Sequence, residues 1–251
     1  MANFLFKKSY ELNHFTKVHY NHLWGSRGVF TTIRVHGETP KFILLKEHLS
    51  QLNTSLIKMK INFSLTQKKL LELIPKNLRI KKYNHLLRIA IKKNIISISL
   101  RPRLKLTNNF NCKLINYQRT NPKIKNLQYK KILSMQKSID MQKMELLFFN
   151  KNKLLEGSTT NIIMIKNNNI ILPKGNYYKG ITLKYLLSQI RTKYIFKPIS
   201  ISELSNADEI ILVGSGKGVI KVTSIPKIKW YSSTSKMFKR LSAIYKTQLI
   251  K

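Results

Sequence analysis

Two β-hairpin signatures, one in each half, constrain this chain most. Leu87 to Ile91 and Ile95 to Ser99 flank Lys92-Lys93-Asn94, while Asn161 to Ile165 and Ile170 to Leu172 flank Asn167-Asn168-Asn169. Runs rich in β-branched residues, split by a short polar turn, fold back on themselves, so each half must hold antiparallel strands. Val29, Thr31, Ile33 and Val35 alternate as a strand does, and Gly37-Glu38-Thr39-Pro40 turns the chain into an apolar strand from Phe42 to Leu45. From Lys46 the period becomes helical, with Leu49, Leu52 and Leu56 on one face and Met59 continuing it. A second helix is predicted from Thr66 as N-cap, burying Leu70, Leu73 and Ile74 until Pro75 stops it.

The second half continues the alternation of helix and strand. A helix carries Ile132, Met135 and Ile139 on one face, and Glu145 to Phe149 is a short apolar strand. Gly180 opens a helix buried through Leu183, Leu186, Leu187 and Ile190. Ile210 to Val213 reads as a core strand, and the last helix buries Phe238, Leu241, Tyr245 and Leu249. Residues 117–123 are polar and contain Pro122, which suits a connection between lobes. The expected fold class is α+β in two lobes, an N-terminal lobe over 1–116, the connection 117–123, and a C-terminal lobe over 124–251.

At 251 residues and 43% hydrophobic composition, the chain can bury one large core or two moderate ones. No apolar run approaches the roughly eighteen residues of a membrane span, and Met1 to His22 lacks an apolar stretch of signal-peptide length, so a soluble cytoplasmic protein without a membrane partner is expected. Cys112 is the single cysteine, which rules out an intrachain disulfide and argues against a zinc–thiolate centre, so no metal is expected. The net charge of +37 would attract any polyanion. The lysines nevertheless run evenly from end to end, and no zinc-finger, basic-zipper or ribonucleoprotein motif accompanies them. Compositional drift with solvated lysines accounts for that charge better than nucleic-acid binding does.

Four pieces carry chemistry, in this order: Lys125 in Lys125-Asn126-Leu127-Gln128, Glu156 in Glu156-Gly157-Ser158-Thr159-Thr160-Asn161, Gly180-Ile181-Thr182, and Gly214-Ser215-Gly216-Lys217-Gly218. The last is no P-loop, because Gly218 stands where Ser or Thr would hold magnesium, and it falls one position short of the dinucleotide fingerprint. Small residues after a buried strand either expose N–H groups to a phosphate, with the Ser215 hydroxyl beside them, or make an ordinary tight turn. A helix opened at Gly180 offers free N–H groups to an anion, and Thr182 either donates to it or caps the helix. Glu156 is one of only ten acidic residues, either functional or a surface carboxylate paired to a lysine. Lys125 alone carries no weight where most lysines are solvated and inert.

Together and in this order, the pieces resemble the class IV (fold type IV) pyridoxal-phosphate enzymes, a family of branched-chain and D-amino acid aminotransferases and 4-amino-4-deoxychorismate lyase. The resemblance runs from about Gly25 to about Ile225 and includes Gly28-Val29-Phe30-Thr31-Thr32-Ile33-Arg34 and Glu47-His48-Leu49. It implies a smaller N-terminal α/β lobe, a larger C-terminal lobe with a barrel-like sheet, and a homodimer. It implies pyridoxal 5'-phosphate as cofactor, with Lys125 as Schiff-base lysine and Glu156 facing the pyridine nitrogen. Ile181, Thr182, Ser215 and Gly216 would hold the phosphate, and Thr159 and Thr160 would lie beside the ring. The chain departs from the family pattern at Gln51 and Leu183, where arginines are usual, at Arg27, where aspartate is common, and at Lys221, where proline is frequent.

Phe30-Thr31-Thr32 is similar to the lyase branch, whereas the aminotransferases usually place an acidic residue after the aromatic. The reaction implied is conversion of 4-amino-4-deoxychorismate to 4-aminobenzoate and pyruvate, a step of folate synthesis. A class IV aminotransferase acting on branched-chain or D-amino acids is the alternative, and a non-enzymatic basic nucleic-acid-binding protein is a further one. Thr32, Arg34, Arg101 and Arg103 are candidates to meet an anionic amino substrate, although each arginine could equally be a surface cation.

Overall fold

The computed structural model describes residues 4–75, 78 and 80–250. The chain divides into two compact units, one of Met1–Arg103 with Ile124–Lys131, the other of Leu104–Lys123 with Ile132–Lys251.

In the first unit β1 (Phe6–Glu11), β2 (Lys17–Val18), β3 (Gly28–Gly37), β4 (Lys41–Phe42), β5 (Tyr83–Lys92) and β6 (Ile95–Pro102) form one sheet in the order β2-β1-β6-β5-β3-β4. Every pairing is antiparallel, and β3 meets β5 over its whole length, from Gly28 opposite Lys92 to Gly37 opposite Tyr83. The period of two sorts the faces. Val29, Ile33, Val35, Leu87, Ile89, Ile91, Ile96, Ile98 and Leu100 form the core with helices α1 (Leu45–Lys58) and α2 (Gln67–Leu73). Helix α1 buries Leu49, Leu52 and Leu56, and α2 starts as predicted, with the Thr66 hydroxyl accepting from the Lys69 amide at 3.2 Å. The strand expected from Phe42 to Leu45 ends at Phe42, because Leu44 turns to φ 55° and starts α1.

The second unit holds β7 (Asn111–Asn116), most of α3 (Lys130–Gln136), β8 (Met144–Asn150), β9 (Lys153–Gly157), β10 (Asn161–Lys166) and β11 (Asn169–Pro173). It continues through α4 (Ile181–Gln189), β12 (Tyr194–Lys197), α5 (Ile201–Ser205), β13 (Glu209–Gly214), β14 (Gly218–Lys221), β15 (Ser224–Ile225), β16 (Trp230–Tyr231) and α6 (Lys236–Ile250). Two five-stranded sheets result, β12-β11-β10-β13-β14 and β16-β15-β7-β8-β9. Both feed one core, with Cys112, Leu114, Leu147 and Leu154 from one sheet and Ile162, Met164, Ile171, Ile210 and Leu212 from the other, which gives the barrel-like arrangement expected. The outer face of the first of these sheets, through Ile163, Ile165, Leu172, Ile211 and Val213, is covered by Leu183 and Leu186 of α4 and by Leu241 and Tyr245 of α6. Helix α3 is shorter than predicted; Ile139 lies beyond it, its amide bonded to the Gln136 carbonyl at 3.3 Å in a turn.

Candidate active site

Lys125 occupies an edge that the first sheet leaves open. Strand β4 covers β3 only at Val35 and His36, and the segment from Lys125 to Leu127 pairs with the other end. The Phe30 amide donates to the Lys125 carbonyl at 2.9 Å, Asn126 bridges Val29, and the Leu127 amide donates to the Gly28 carbonyl at 2.9 Å. Only glycine fits at position 28, because a Cβ there would lie 2.3 Å from the Ile91 carbonyl oxygen and 2.8 Å from a Leu127 methyl. The pairing sets the half-buried Lys125 ammonium 5.0 Å from the centroid of the Phe30 ring.

Phe30 belongs to the sheet face turned away from the helices, together with Thr32 and Arg34 of β3, Arg88 of β5 and Arg101 of β6. Arg88 lies opposite Thr32 and stacks 3.7 Å over the Trp24 ring, with its carbon 5.5 Å from the Phe30 centroid. Its Nη2 donates to the His22 carbonyl at 2.8 Å, while Nε and Nη1 are buried and meet no partner among the described residues. Burial lowers its pKa to about 10. Trp24 in turn stacks on Tyr129 and meets Phe30 edge-on. Arg34 reaches the Asn84 side chain at 3.3 Å, Arg101 lies near the Pro102 carbonyl, and the Arg103 amide bonds the Asn84 carbonyl. On the helix-covered face, the Thr31 hydroxyl and His48 Nδ1 are 2.7 Å apart. Burial first, then the Lys125 charge, pulls the His48 pKa down to about 3, so its ring is neutral.

In the second unit Glu156, on β9, is 3% exposed and is clasped by Arg119, whose Nε donates to Oε1 at 2.8 Å and whose Nη2 donates to Oε2. A forked guanidinium–carboxylate pair of this kind fixes the plane of the carboxylate. Tyr177 and Tyr178 surround it, and burial raises both phenol pKa values, with the Glu156 charge adding to the rise. Beyond Glu156 the chain turns tightly, the Gly157 amide bonding the Thr160 carbonyl at 2.9 Å. Thr159 and Thr160 direct their hydroxyls to the buried carboxylate of Glu145, at 2.6 and 3.4 Å. Asn161 then holds the entry to α4, its Oδ1 accepting from the Gly180 amide at 2.8 Å and its Nδ2 donating to the Tyr178 carbonyl at 2.6 Å.

The two anion-binding candidates of the sequence meet. The Thr182 hydroxyl, on the first turn of α4, lies 3.3 Å from the Ser215 hydroxyl. The glycine loop is a hairpin turn, with Gly214 paired to Gly218, and Gly218 takes a φ of 77°. It therefore serves as a turn and also carries Ser215 to the helix terminus. The first turn of α4, with Thr182, and the Ser215 hydroxyl bring together donors of the kind that suit a phosphate. An amine at Lys125 and a carboxylate at Glu156 are the other groups that pyridoxal phosphate requires, so the residues present fit it.

The class IV amino-transferase family model matches residues 28–225. The chain belongs to that family. It is therefore an enzyme, a lyase or an aminotransferase, and its cofactor is pyridoxal 5'-phosphate. No curated protein sequence matches it. Among solved structures it is similar to a provisionally named 4-amino-4-deoxychorismate lyase from Legionella pneumophila, at 20% identity over 88% of this chain and 91% of that one, with a TM-score of 0.74. It is similar to a hypothetical aminotransferase from Mycobacterium tuberculosis in its PLP-bound form, at 12% identity over 97% and 99%, with a TM-score of 0.76. A branched-chain amino acid aminotransferase from Thermobaculum terrenum in its PLP form gives 16% identity over 96% and 93%, with a TM-score of 0.77. At these identities the likeness establishes the fold and leaves the reaction open.

Four functional candidates escaped sequence reasoning. Arg88 and Arg119 carry no local motif, since what marks them is a stacked indole and a distant carboxylate. Glu145 and Lys217 did carry a signal, an acid inside an apolar strand and a lysine inside a glycine turn.

Proposed function

We propose that this enzyme is a lyase that converts 4-amino-4-deoxychorismate to 4-aminobenzoate and pyruvate, and that it works as a homodimer. The observation that carries the reading is the Phe30 ring, against which both the Lys125 ammonium and the Arg88 guanidinium are set. An amine that can react with a carbonyl and a buried guanidinium with unpartnered nitrogens suit an amino substrate bearing a carboxylate. Strand β3 offers Thr31 and Thr32 after Phe30, with no acid to repel a dianion.

Lys125 is assigned as the residue that attaches the cofactor. Glu156 is assigned to the pyridine nitrogen, Ile181, Thr182, Ser215 and Gly216 to the phosphate, and Thr159 and Thr160 to the flank of the ring. Bound pyridoxal phosphate supplies the electron sink for the carbanion. Lys125 Nζ takes the proton from the carbon that bears the substrate amine. The carbon–oxygen bond between the ring and the enolpyruvyl group then breaks, the ring becomes aromatic, and the released enolate takes a proton on its methylene carbon to give pyruvate. Lys125 must be deprotonated when it acts as base. Arg88, with Arg34, Arg101, Arg103 and Thr32 as further candidates, receives substrate carboxylates.

The test is pyruvate release from 4-amino-4-deoxychorismate by purified enzyme without any keto acid. Stoichiometric 4-aminobenzoate and pyruvate support the lyase. Amino transfer from branched-chain or D-amino acids to a keto acid, without pyruvate from aminodeoxychorismate, replaces it with the aminotransferase.

A further inference from the structure

A lysine in a glycine-rich turn ordinarily reaches water, and beside an anion site it would be a natural phosphate ligand. Lys217 does neither. Its side chain is 7% exposed, and Nζ donates to the Met144 carbonyl at 3.1 Å, lies 3.4 Å from Glu145 Oε2 and sits 4.5 Å from the Phe110 ring centroid. Glu145 is fully buried on β8 and is held on several sides. It accepts from the Leu146 amide at 3.1 Å, from the Ser158 hydroxyl, from Thr159 at 2.6 Å and from Thr160 at 3.4 Å. The Cys112 thiol lies opposite Glu145 in register, and burial followed by the Glu145 charge keeps it protonated.

One carboxylate therefore joins two loops. On one side are the hydroxyls of the turn 158–160, on the other the ammonium of the loop 214–218. The loops also touch directly, since a Cβ on Gly214 would come within 2.9 Å of the Thr159 carbonyl oxygen. A buried ion pair is a poor source of stability, because well-packed apolar residues of the same volume do as well or better. Where such a pair is useful, it is as a source of fixed geometry, and this one stands between the turn that carries Thr159 and Thr160 and the loop that carries Ser215 and Gly216.

We infer that Glu145 and Lys217 are a positioning pair that locks these two loops in the spacing that cofactor binding requires. The inference rests on the assignment of the loops to the ring and phosphate of pyridoxal phosphate. Neither residue touches the reacting atoms. Their removal acts on cofactor affinity through Thr159, Thr160, Ser215 and Gly216.

The experiment compares the wild type with Lys217→Met, Glu145→Gln and the double variant, by amide hydrogen exchange on cofactor-free protein, thermal unfolding, and equilibrium titration with pyridoxal phosphate. In Lys217→Met, exchange at 158–160 and 214–218 should accelerate together while Ile163 and Ile171 of the neighbouring hairpin keep their protection. The double variant should regain the wild-type unfolding midpoint yet bind the cofactor about tenfold more weakly. Glu145→Gln keeps hydrogen-bonding capacity towards the turn and gives the same exchange pattern if Lys217→Met does not fold. Unchanged exchange in either loop, or affinity that returns together with stability in the double variant, overturns the inference. A wild type that takes up no cofactor defeats the assignment of the loops, and the exchange result still decides whether the pair couples them.

Discussion

Replacing His48 by glutamine tests how the first unit holds Lys125. His48 is 5% exposed and bonded to Thr31, and burial together with the Lys125 charge takes its pKa from 6.5 to about 3. Between those values the unfolded chain binds a proton that the folded chain refuses. Stability is therefore complete above the unfolded pKa and declines as pH falls from 6.5 towards the folded value near 3. The slope is about 1.4 kcal/mol per pH unit, so lowering the pH from 7.5 to 5.0 costs the wild type about 2 kcal/mol through this group alone. That is a large share of the roughly 5–15 kcal/mol by which domains are stable. Glutamine keeps a hydrogen bond to Thr31 without titrating. Urea unfolding of cofactor-free wild type and His48→Gln at the two pH values should show the wild type losing about 2 kcal/mol more than the variant. In Lys125→Ala the larger cause, burial, remains, so the difference should persist. Parallel losses in wild type and His48→Gln would refute the reasoning, because they would mean that the imidazole titrates alike in both states.

Arg119→Met strands the Glu156 carboxylate, with both side chains less than a tenth exposed, and should cost about 3–5 kcal/mol in unfolding free energy, most of it recovered in Arg119→Met/Glu156→Gln. A single variant as stable as the wild type would show that the fork is not formed. Gly28→Ala drives a methyl into the Ile91 carbonyl and Leu127, so its melting temperature should fall by the equivalent of about 1–3 kcal/mol and Lys125 should react more slowly with pyridoxal phosphate. An unshifted melting curve contradicts the close approach. Arg88→Met should raise KM for the anionic substrate by about tenfold or more while kcat changes little, since it removes a charge-assisted contact made in ground and transition states alike. An unaltered KM would remove Arg88 from the substrate site.

The two hairpins, the helix from Thr66 and the helix opened by Gly180 were legible because each is written in local pattern, a period, a cap or a short polar turn. The helix capped by Ser200 went unread in the sequence, although Ser200 is followed by Glu203 at the third position and both halves of that capping box form. Strand β7 was less visible, because it pairs in parallel with β8 and β15 across long stretches of chain. Phe42 to Leu45 misled because apolar residues entering a helix through a left-handed Leu44 look the same as a strand. The return of 124–131 to the first unit depends on edge pairing with Gly28 and Phe30, which no local signal encodes. The same holds for the clasp of Glu156 by Arg119, 37 residues away. The candidate site was legible where loops and helix ends supply backbone donors, and hidden where distant cations meet.

Reduction with borohydride after mixing the enzyme with pyridoxal phosphate, followed by peptide mass mapping, tests the central claim most directly. A chain with 38 lysines will condense with an aldehyde at many exposed amines, so a visible band alone does not decide the matter. At stoichiometric cofactor the account predicts a label concentrated on the peptide containing Lys125, with the visible band lost in Lys125→Ala. A label scattered over surface lysines, with the band unchanged in Lys125→Ala, would contradict it.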